Sequence, residues 1–93
     1  MVTPVHTTEI SGTGRVFRHD KEFSSVLYIL AHEQGNPRRI ISGTLKVTSG
    51  RTDLLGSSRL TLYLEDGSPV AFGVSRGNLV TREFVMDMNN KSD

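Results

Sequence analysis

Histidine is the first residue type in this sequence whose chemistry needs testing. His6, His19 and His32 lie at equal intervals along the chain. Equal spacing alone does not bring side chains together, whereas a metal site needs several ligands within about 2 Å of one ion. If the first two strands form a hairpin, His19 lies at its turn and His32 lies at the opposite end. We therefore expect no metal site, and no motif indicates a cofactor.

Serine is abundant, but none of the serines has the surroundings that nucleophilic catalysis requires. No Gly-x-Ser-x-Gly elbow occurs, and most serines lie in turn-rich stretches, where their hydroxyls serve loop structure. Glu65 and Asp66 are adjacent carboxylates. Neighbours in a strand point to opposite faces, and Asp66 is well placed to form a turn, so they do not suggest an acid–base pair. We expect that the protein is not an enzyme.

Arginine and tyrosine provide the remaining candidates for a binding site. Small five-stranded barrels often bind single-stranded nucleic acid with basic groups beside exposed aromatic rings. Tyr63 is the best outward-facing ring, although the Glu65 carboxylate on the same face would repel phosphate. The candidate ligand-binding residues, with the arginines placed around the loop end of a barrel, are Arg38, Arg39, Arg51, Arg59 and Tyr63.

The charge balance argues against a general attraction to nucleic acid or to anionic lipid. The 11 basic and 10 acidic residues give a formal net charge of +1, so no field of one sign covers the molecule. A solvated surface of mixed charge is the preferred interpretation of the arginines. Single-stranded nucleic-acid or nucleotide binding is therefore the second hypothesis.

Length and composition indicate one soluble domain. The 93 residues suit a single domain with loose ends at about residues 1–8 and 89–93. A chain of this size buries only about two-thirds of its unfolded surface, so its own core is modest. There is no cysteine, no apolar run long enough to span a membrane and no signal-peptide pattern. We expect a cytoplasmic protein.

The elements that position these residues follow from a two-residue alternation, which is clearest between Arg59 and Ser75. Apolar residues occupy every second position of 60–64 and again of 70–74, which is typical of two strands with one apolar face each. Asp66-Gly67 can supply the positive φ of a tight turn, and Pro69 suits the start of the returning strand.

The segment from residue 21 to residue 34 is ambiguous. Its apolar residues fit a helix that Asp20 could cap and Gly35 could follow. They also fit a strand with apolar residues on both faces, and the β-branched and aromatic content of Val26-Leu27-Tyr28-Ile29 favours a strand covered on both sides. If the segment is a strand, the fold is all-β, a small antiparallel barrel or sandwich of five to six strands. If it is a helix, the fold is α+β.

Further strands are predicted at 10–17, 40–48 and 79–88. In the second of these, Ile41, Gly43, Leu45 and Val47 are expected to share one face. Leu54-Leu55 lies in a Gly- and Ser-rich loop and is expected to fold back as a lid over one end of the barrel. The fold prediction thus rests on short strands at close spacing with glycine-rich turns.

The leading functional hypothesis is a non-catalytic binding or interaction module that self-associates. Apolar residues occur on both faces of the 26–31 run, and Phe84, Met86 and Met88 extend a late apolar stripe. A small core cannot easily enclose all of them, and leftover apolar patches tend to be interfaces. The alternative interpretation is that the barrel itself buries both faces.

Overall fold

The alternating segments form six antiparallel strands. The computed structural model describes residues 7–88, with the backbone alone for Pro37 and Arg38. The strands are β1 (Thr7–Arg18), β2 (Lys21–Glu33), β3 (Asn36–Gly50), β4 (Leu60–Tyr63), β5 (Pro69–Asn78) and β6 (Glu83–Asp87). Their order is β1-β2-β3-β6-β5-β4, and β4 pairs with β1, so the sheet closes into a ring. The all-β barrel prediction is confirmed, and no helix occurs within the described range.

The ambiguous segment is strand β2, and its side chains follow the period of two. Val26, Tyr28 and Leu30 are buried, whereas Leu27 and Ile29 between them are exposed. A helix would have placed residues three and four apart on the buried side. One face of β2 therefore belongs to the core, and the other points out of the barrel.

The core fills the inside of the ring with the alternate residues of all six strands. Phe72 and Phe84 are its largest fully buried side chains. Apolar side chains from opposite walls meet there because each strand points every second residue inward. The core consists of Val16, Phe23, Val26, Tyr28, Leu30, Ile40, Leu45, Val47, Leu54, Leu60, Leu62, Phe72, Val74, Phe84 and Met86.

The β4–β5 hairpin forms as the sequence predicts. Gly67 has a φ of 88°, and the Ser68 N–H donates to Asp66 Oδ1 at 2.8 Å. The Leu64 N–H donates to the Ser68 carbonyl at 3.0 Å, and β5 begins at Pro69. Asp66 is thus committed to the turn, as expected.

Strands β1, β2 and β3 are longer than the other three. They have 12, 13 and 15 residues, while β4, β5 and β6 have 4, 10 and 5. The barrel therefore has two unlike ends. The closed end contains the β1–β2 turn, the loop 51–59 and the β5–β6 turn. The open end contains the β2–β3 turn, the β4–β5 turn and the start of β1.

Two details of the strand predictions are wrong. β6 begins at Glu83, because the Asn78 side chain accepts hydrogen bonds from the Val80 and Thr81 N–H groups and holds 79–82 as a turn. Val80 is consequently 91% exposed. In β3, the register shifts where Ala31 pairs with Ser42 but His32 pairs with Ile40. This bulge turns Ile41 outward, whereas Gly43, Leu45 and Val47 face inward as expected.

The predicted lid is half correct. Leu54 is fully buried in the core, while Leu55 is 41% exposed. The Gly56 N–H donates to the Val74 carbonyl and the Val74 N–H donates to the Ser57 carbonyl, both at 2.8 Å. One leucine therefore closes this end of the barrel, and its neighbour points to solvent.

The ends of the chain are only partly described. β1 begins at Thr7, earlier than the predicted strand. The rest of the predicted loose ends, residues 1–6 and 89–93, lies outside the described residues. From residue 7 to residue 88, nothing forms a helix of the length and apolar character needed to cross a membrane.

Candidate functional site

The outer face of β2 carries exposed aliphatic side chains in the middle of the sheet. Leu27 is 46% exposed and Ile29 is 51% exposed, and Ala31 is half-buried beyond them. β2 pairs with β1 on one side and β3 on the other, so its backbone groups are used. The side chains of this strand are consequently what it can offer to another molecule.

Small hydroxyl side chains frame the aliphatic row. Leu27 lies between Thr13 and Lys46, and Ile29 lies between Ser11 and Thr44. Ala31 lies between Glu9 and Ser42. We call this surface the β2 face, which consists of Leu27, Ile29, Ala31, Glu9, Ser11, Thr13, Ser42, Thr44 and Lys46.

The two charges of the β2 face lie at opposite corners. Lys46 lies on β3 opposite Leu27, and Glu9 lies on β1 opposite Ala31. Leu27 and Ala31 are each two residues from Ile29, on opposite sides of it along β2. With strands about 4.8 Å apart and about 3.3 Å per residue, each charge lies roughly 8 Å from Ile29. The face is therefore apolar at its centre and carries opposite charges on one diagonal.

The bulge in β3 adds a further exposed aliphatic residue near one end of the face. Ile41 is 38% exposed, and it has no direct partner on β2 because the register skips it. It lies next to Ser42 in the chain. The sequence places Ile41 in the core, so only the bulge assigns it to the outer surface.

The late apolar stripe that the sequence suggested as surplus is enclosed instead. Phe84 is 1% exposed and Met86 is 4% exposed, and Met88 packs against the same core. That part of the reasoning for an exposed patch is wrong, because β6 closes the ring between β3 and β5. The expectation of a strand covered on both sides also fails within this chain, since the outer side of β2 is exposed.

The candidate arginines do not gather at one place. Arg39 lies near the β2–β3 turn at the open end, where its Nε is 3.7 Å from a Glu33 carboxylate oxygen. Arg51 and Arg59 flank the loop at the closed end. About twelve residues of extended β3 separate Arg39 from Arg51, which is roughly 35–40 Å. Arg38 precedes Arg39 in β3, and its side chain lies outside the described part. Ligand binding by these residues stays a prediction.

Arg51 is engaged by two neighbours. Its guanidinium donates to both Asp53 carboxylate oxygens, at 3.2 Å and 2.9 Å, and it lies 4.8 Å from the centre of the Phe23 ring. The hydrogen bonds from Arg51 lower the pKa of Asp53 below its ordinary value. These contacts hold Arg51 against the closed end of the barrel.

Tyr63 lies on the outer wall, as expected, and it has an aromatic partner. Its ring is edge-to-face with Phe17 at 5.2 Å between ring centres, and the residue is 41% exposed. Arg15 is opposite Tyr63 in the β1–β4 pairing and lies 3.7 Å from Glu22. Phe17 and Arg15 form the surroundings of Tyr63 that sequence reasoning did not identify, because their proximity depends on the β1–β4 pairing.

His19 and His32 lie at opposite ends of β2. His19 occupies the β1–β2 turn with a φ of 59°, and His32 is buried near the β2–β3 turn, with Nδ1 2.9 Å from the Glu33 carbonyl oxygen. The described residues contain no group of three metal-binding side chains, and His6 lies outside them.

Comparison of the chain with protein-family models, with curated proteins and with solved structures found no match. Function is therefore inferred from the side chains and their arrangement.

Proposed function

We propose that this protein is a non-catalytic interaction module that self-associates through the β2 face. The observation that carries the proposal is the pair of exposed aliphatic side chains, Leu27 and Ile29, in the centre of a sheet whose backbone groups are already paired. Contiguous exposed apolar side chains rimmed by polar residues are typical of interaction sites.

The charges of the face favour a second copy of the chain as the partner. Glu9 and Lys46 lie on opposite sides of Ile29. A two-fold axis through Ile29, lying in the interface at right angles to the Glu9–Lys46 line, places each glutamate over the partner's Lys46. Because that line is inclined to β2, the strands of the two sheets then cross at a steep angle, close to the orthogonal class of sheet packing. Such an arrangement pairs both charges and brings the two aliphatic rows together where they cross at Ile29.

The size of the face predicts a weak dimer. Three strands about 4.8 Å apart and roughly 20 Å of their length give a few hundred Å² per subunit. Stable complexes bury about 800 Å² per partner. Association should therefore depend strongly on concentration, and experiments need protein from tens of micromolar to about a millimolar.

Sedimentation velocity over that concentration range tests the proposal. The wild-type chain should shift from monomer toward dimer. The double variant Leu27→Thr/Ile29→Thr should remain monomeric, because threonine is a good strand-forming residue but removes much of the apolar area. Val80→Thr is the matched control, since Val80 is exposed in a turn away from the face. A wild-type protein that stays monomeric throughout would refute self-association.

A charge exchange tests the orientation. Glu9→Lys or Lys46→Glu alone should weaken the dimer, because each variant places like charges together twice. The chain carrying both substitutions should recover the dimer, because the opposite charges are restored with exchanged positions. If the double variant does not recover the dimer, the proposed two-fold arrangement is refuted. Self-association itself is tested separately by the threonine variants.

A second candidate function is single-stranded nucleic-acid binding on the wall that contains Tyr63. The supporting observation is the ring pair of exposed Tyr63 and half-buried Phe17 beside Arg15. Aromatic rings stack on bases, and nearby guanidinium groups attract phosphate. A labelled oligothymidylate should bind at low salt, weaken steeply as salt is added, and lose affinity in Tyr63→Ala. No binding at low salt would exclude this function.

A further inference from the structure

Among residues 7–88, one edge of β1 has no strand partner over most of its length. β1 pairs with β2 from Thr7 to Arg18, but it pairs with β4 only from Arg15 to Arg18. Within residues 7–88, no strand pairs with that other side between Thr7 and Gly14. The barrel wall is therefore open along the first half of β1.

The backbone groups along this edge point outward in a known pattern. The Thr13 N–H points away from β2, because it donates to Glu65 Oε2 at 2.9 Å. In a regular antiparallel ladder the N–H and C=O of alternate residues point to the same side. The pairing is regular from Thr7 to Val16, so Thr7, Glu9 and Ser11 also present both groups to the open side.

The Glu65 carboxylate occupies the position next to β1 where a further strand would begin to pair. Its Oε2 accepts hydrogen bonds from the Thr13 N–H and from Thr13 Oγ1 at 3.2 Å. The Glu65 N–H donates to the Tyr28 hydroxyl at 3.2 Å. Gly12 permits this approach, since a Cβ there would lie 2.7 Å from Glu65 Cδ. One carboxylate thus replaces the strand at Thr13 and leaves the residues before it open.

An apolar cleft lies beside the open edge. It has a volume of about 540 Å³ and is lined by Ile10, Ile40, Leu64 and Val70, with the polar groups of Asp66 and Ser68 at its rim. Ile10 points toward the cleft side of β1, while Glu9 and Ser11 on either side supply the open backbone groups. A strand added to β1 would direct every second side chain toward this cleft.

We propose that the open edge of β1 and the adjacent cleft accept an extended segment of another protein by strand addition, with an apolar side chain in the cleft and basic residues beside it. Strand addition uses main-chain hydrogen bonds for affinity and pockets for alternate side chains for selectivity. This surface is separate from the aliphatic centre of the β2 face, so the inference goes beyond self-association.

Charge selects the kind of segment. Among the described residues that line the cleft, Asp66 is the one with a charged side chain, and Glu9 and Glu65 lie along the same edge. The pKa of Asp66 lies below its ordinary value because the Ser68 N–H and hydroxyl bind the carboxylate, so it stays ionised at neutral pH. A segment with lysine or arginine next to its apolar residue complements these acids.

The same charges argue against a second copy at this edge. The antiparallel register that pairs Thr7, Glu9 and Ser11 with the same residues of a second chain puts Glu9 opposite Glu9. Like charges directly opposite each other destabilise a strand pair. A basic segment of a different protein meets no such repulsion.

The test uses the full chain labelled with ¹⁵N and three synthetic seven-residue peptides with blocked ends. The first alternates valine and threonine between terminal lysines. The second has glutamate in place of lysine. The third is the lysine peptide with alternate backbone nitrogens methylated, which removes the hydrogen-bond donors on one side and keeps the side chains. Amide chemical shifts and hydrogen exchange are followed during each titration.

Strand addition predicts that the lysine peptide shifts and protects the amides of Glu9 and Ser11. The methylated peptide should bind at least about tenfold more weakly, because several main-chain hydrogen bonds are lost, and the glutamate peptide should also bind more weakly. Val70→Lys should reduce binding of the lysine peptide, whereas the exposed control Val80→Lys should not.

Three results would overturn the inference. Equal binding of the methylated and unmethylated peptides would show that the edge is not used. Protection of the Ser11 amide in the dilute chain without peptide would show that the chain itself covers the edge. Protection that appears only as the protein concentration rises would assign the edge to a second copy. Because Leu27→Thr/Ile29→Thr removes only the aliphatic centre of the β2 face and leaves Glu9 and Ser11 in place, the peptide result in that variant is independent of self-association.

Discussion

Replacing Leu54 by alanine should destabilise the protein far more than the same change at Leu55. Leu54 is fully buried and Leu55 is 41% exposed, although the two are adjacent in a loop. Burial alone would not fix the cost, since a loop can relax into the space that a shortened side chain leaves. The bonds around this loop decide how far it can relax.

The loop 51–59 is tied to the barrel at several points. The Arg51 N–H donates to the Phe23 carbonyl at 3.0 Å, and Gly56 and Ser57 exchange hydrogen bonds with Val74 at 2.8 Å. These bonds keep the backbone from collapsing into the cavity, so we place the cost of Leu54→Ala at about 3–4 kcal/mol, in the middle of the usual range for buried leucine. For a domain of this size the melting temperature should fall by roughly 15–25 °C.

Urea denaturation followed by circular dichroism measures the difference. A domain of this length has a free energy of unfolding of about 5–15 kcal/mol, so the variant should still show a folded baseline. Leu55→Ala, the matched control, should change the free energy of unfolding by no more than about 0.5 kcal/mol. A cost below about 1 kcal/mol for Leu54→Ala, or equal costs for the two variants, would refute the assignment of Leu54 as the plug of the closed end.

The remaining predictions concern polar groups and one close approach. The buried Ser24 hydroxyl has no hydrogen-bond partner among the described residues, so Ser24→Ala should leave the urea midpoint unchanged or raise it. Tyr28→Phe should lower the urea midpoint, because it removes the hydroxyl that accepts a hydrogen bond from the Glu65 N–H. Gly12→Ala should cost about 1–3 kcal/mol in the same assay because its Cβ would meet the Tyr28 hydroxyl and the Glu65 carboxylate. Hydrogen bonds from the turn lower the pKa of Asp66 from 3.8, so its contribution to stability is present above that pH and is lost as the pH falls through the folded-state pKa. The difference in urea midpoint between wild type and Asp66→Ala should accordingly shrink below about pH 4, and a difference independent of pH would contradict the assignment.

The period of two in the sequence predicted most of the strands, and it predicted the class of fold once residues 21–34 are taken as a strand. Side chains in a strand alternate between faces whatever the tertiary context, so the inward residues of β4 and β5 could be identified directly. The turn at Asp66-Gly67 was equally predictable, because few residues tolerate a positive φ. These features depend on neighbouring residues in the chain.

The features that bear on function depend on pairing between distant residues. The bulge in β3 shifts the alternation and exposes Ile41, and the turn before β6 interrupts the alternation and exposes Val80. The period of two in the sequence does not show at which residue either change occurs. The sequence predicted two surplus apolar surfaces, but only the ring closure by β6 shows that Phe84 is enclosed while Ile29 is not.

The amino-acid sequence by itself thus determined that this chain forms amphipathic strands with a tight turn at Asp66-Gly67, because both properties are local. The tertiary structure alone decided which apolar faces reach solvent, that the candidate arginines are spread over both ends, and that the first half of β1 has one edge unpaired by any strand within residues 7–88. Those outcomes follow from unequal strand lengths and from the register between strands, which are set by packing across the whole barrel.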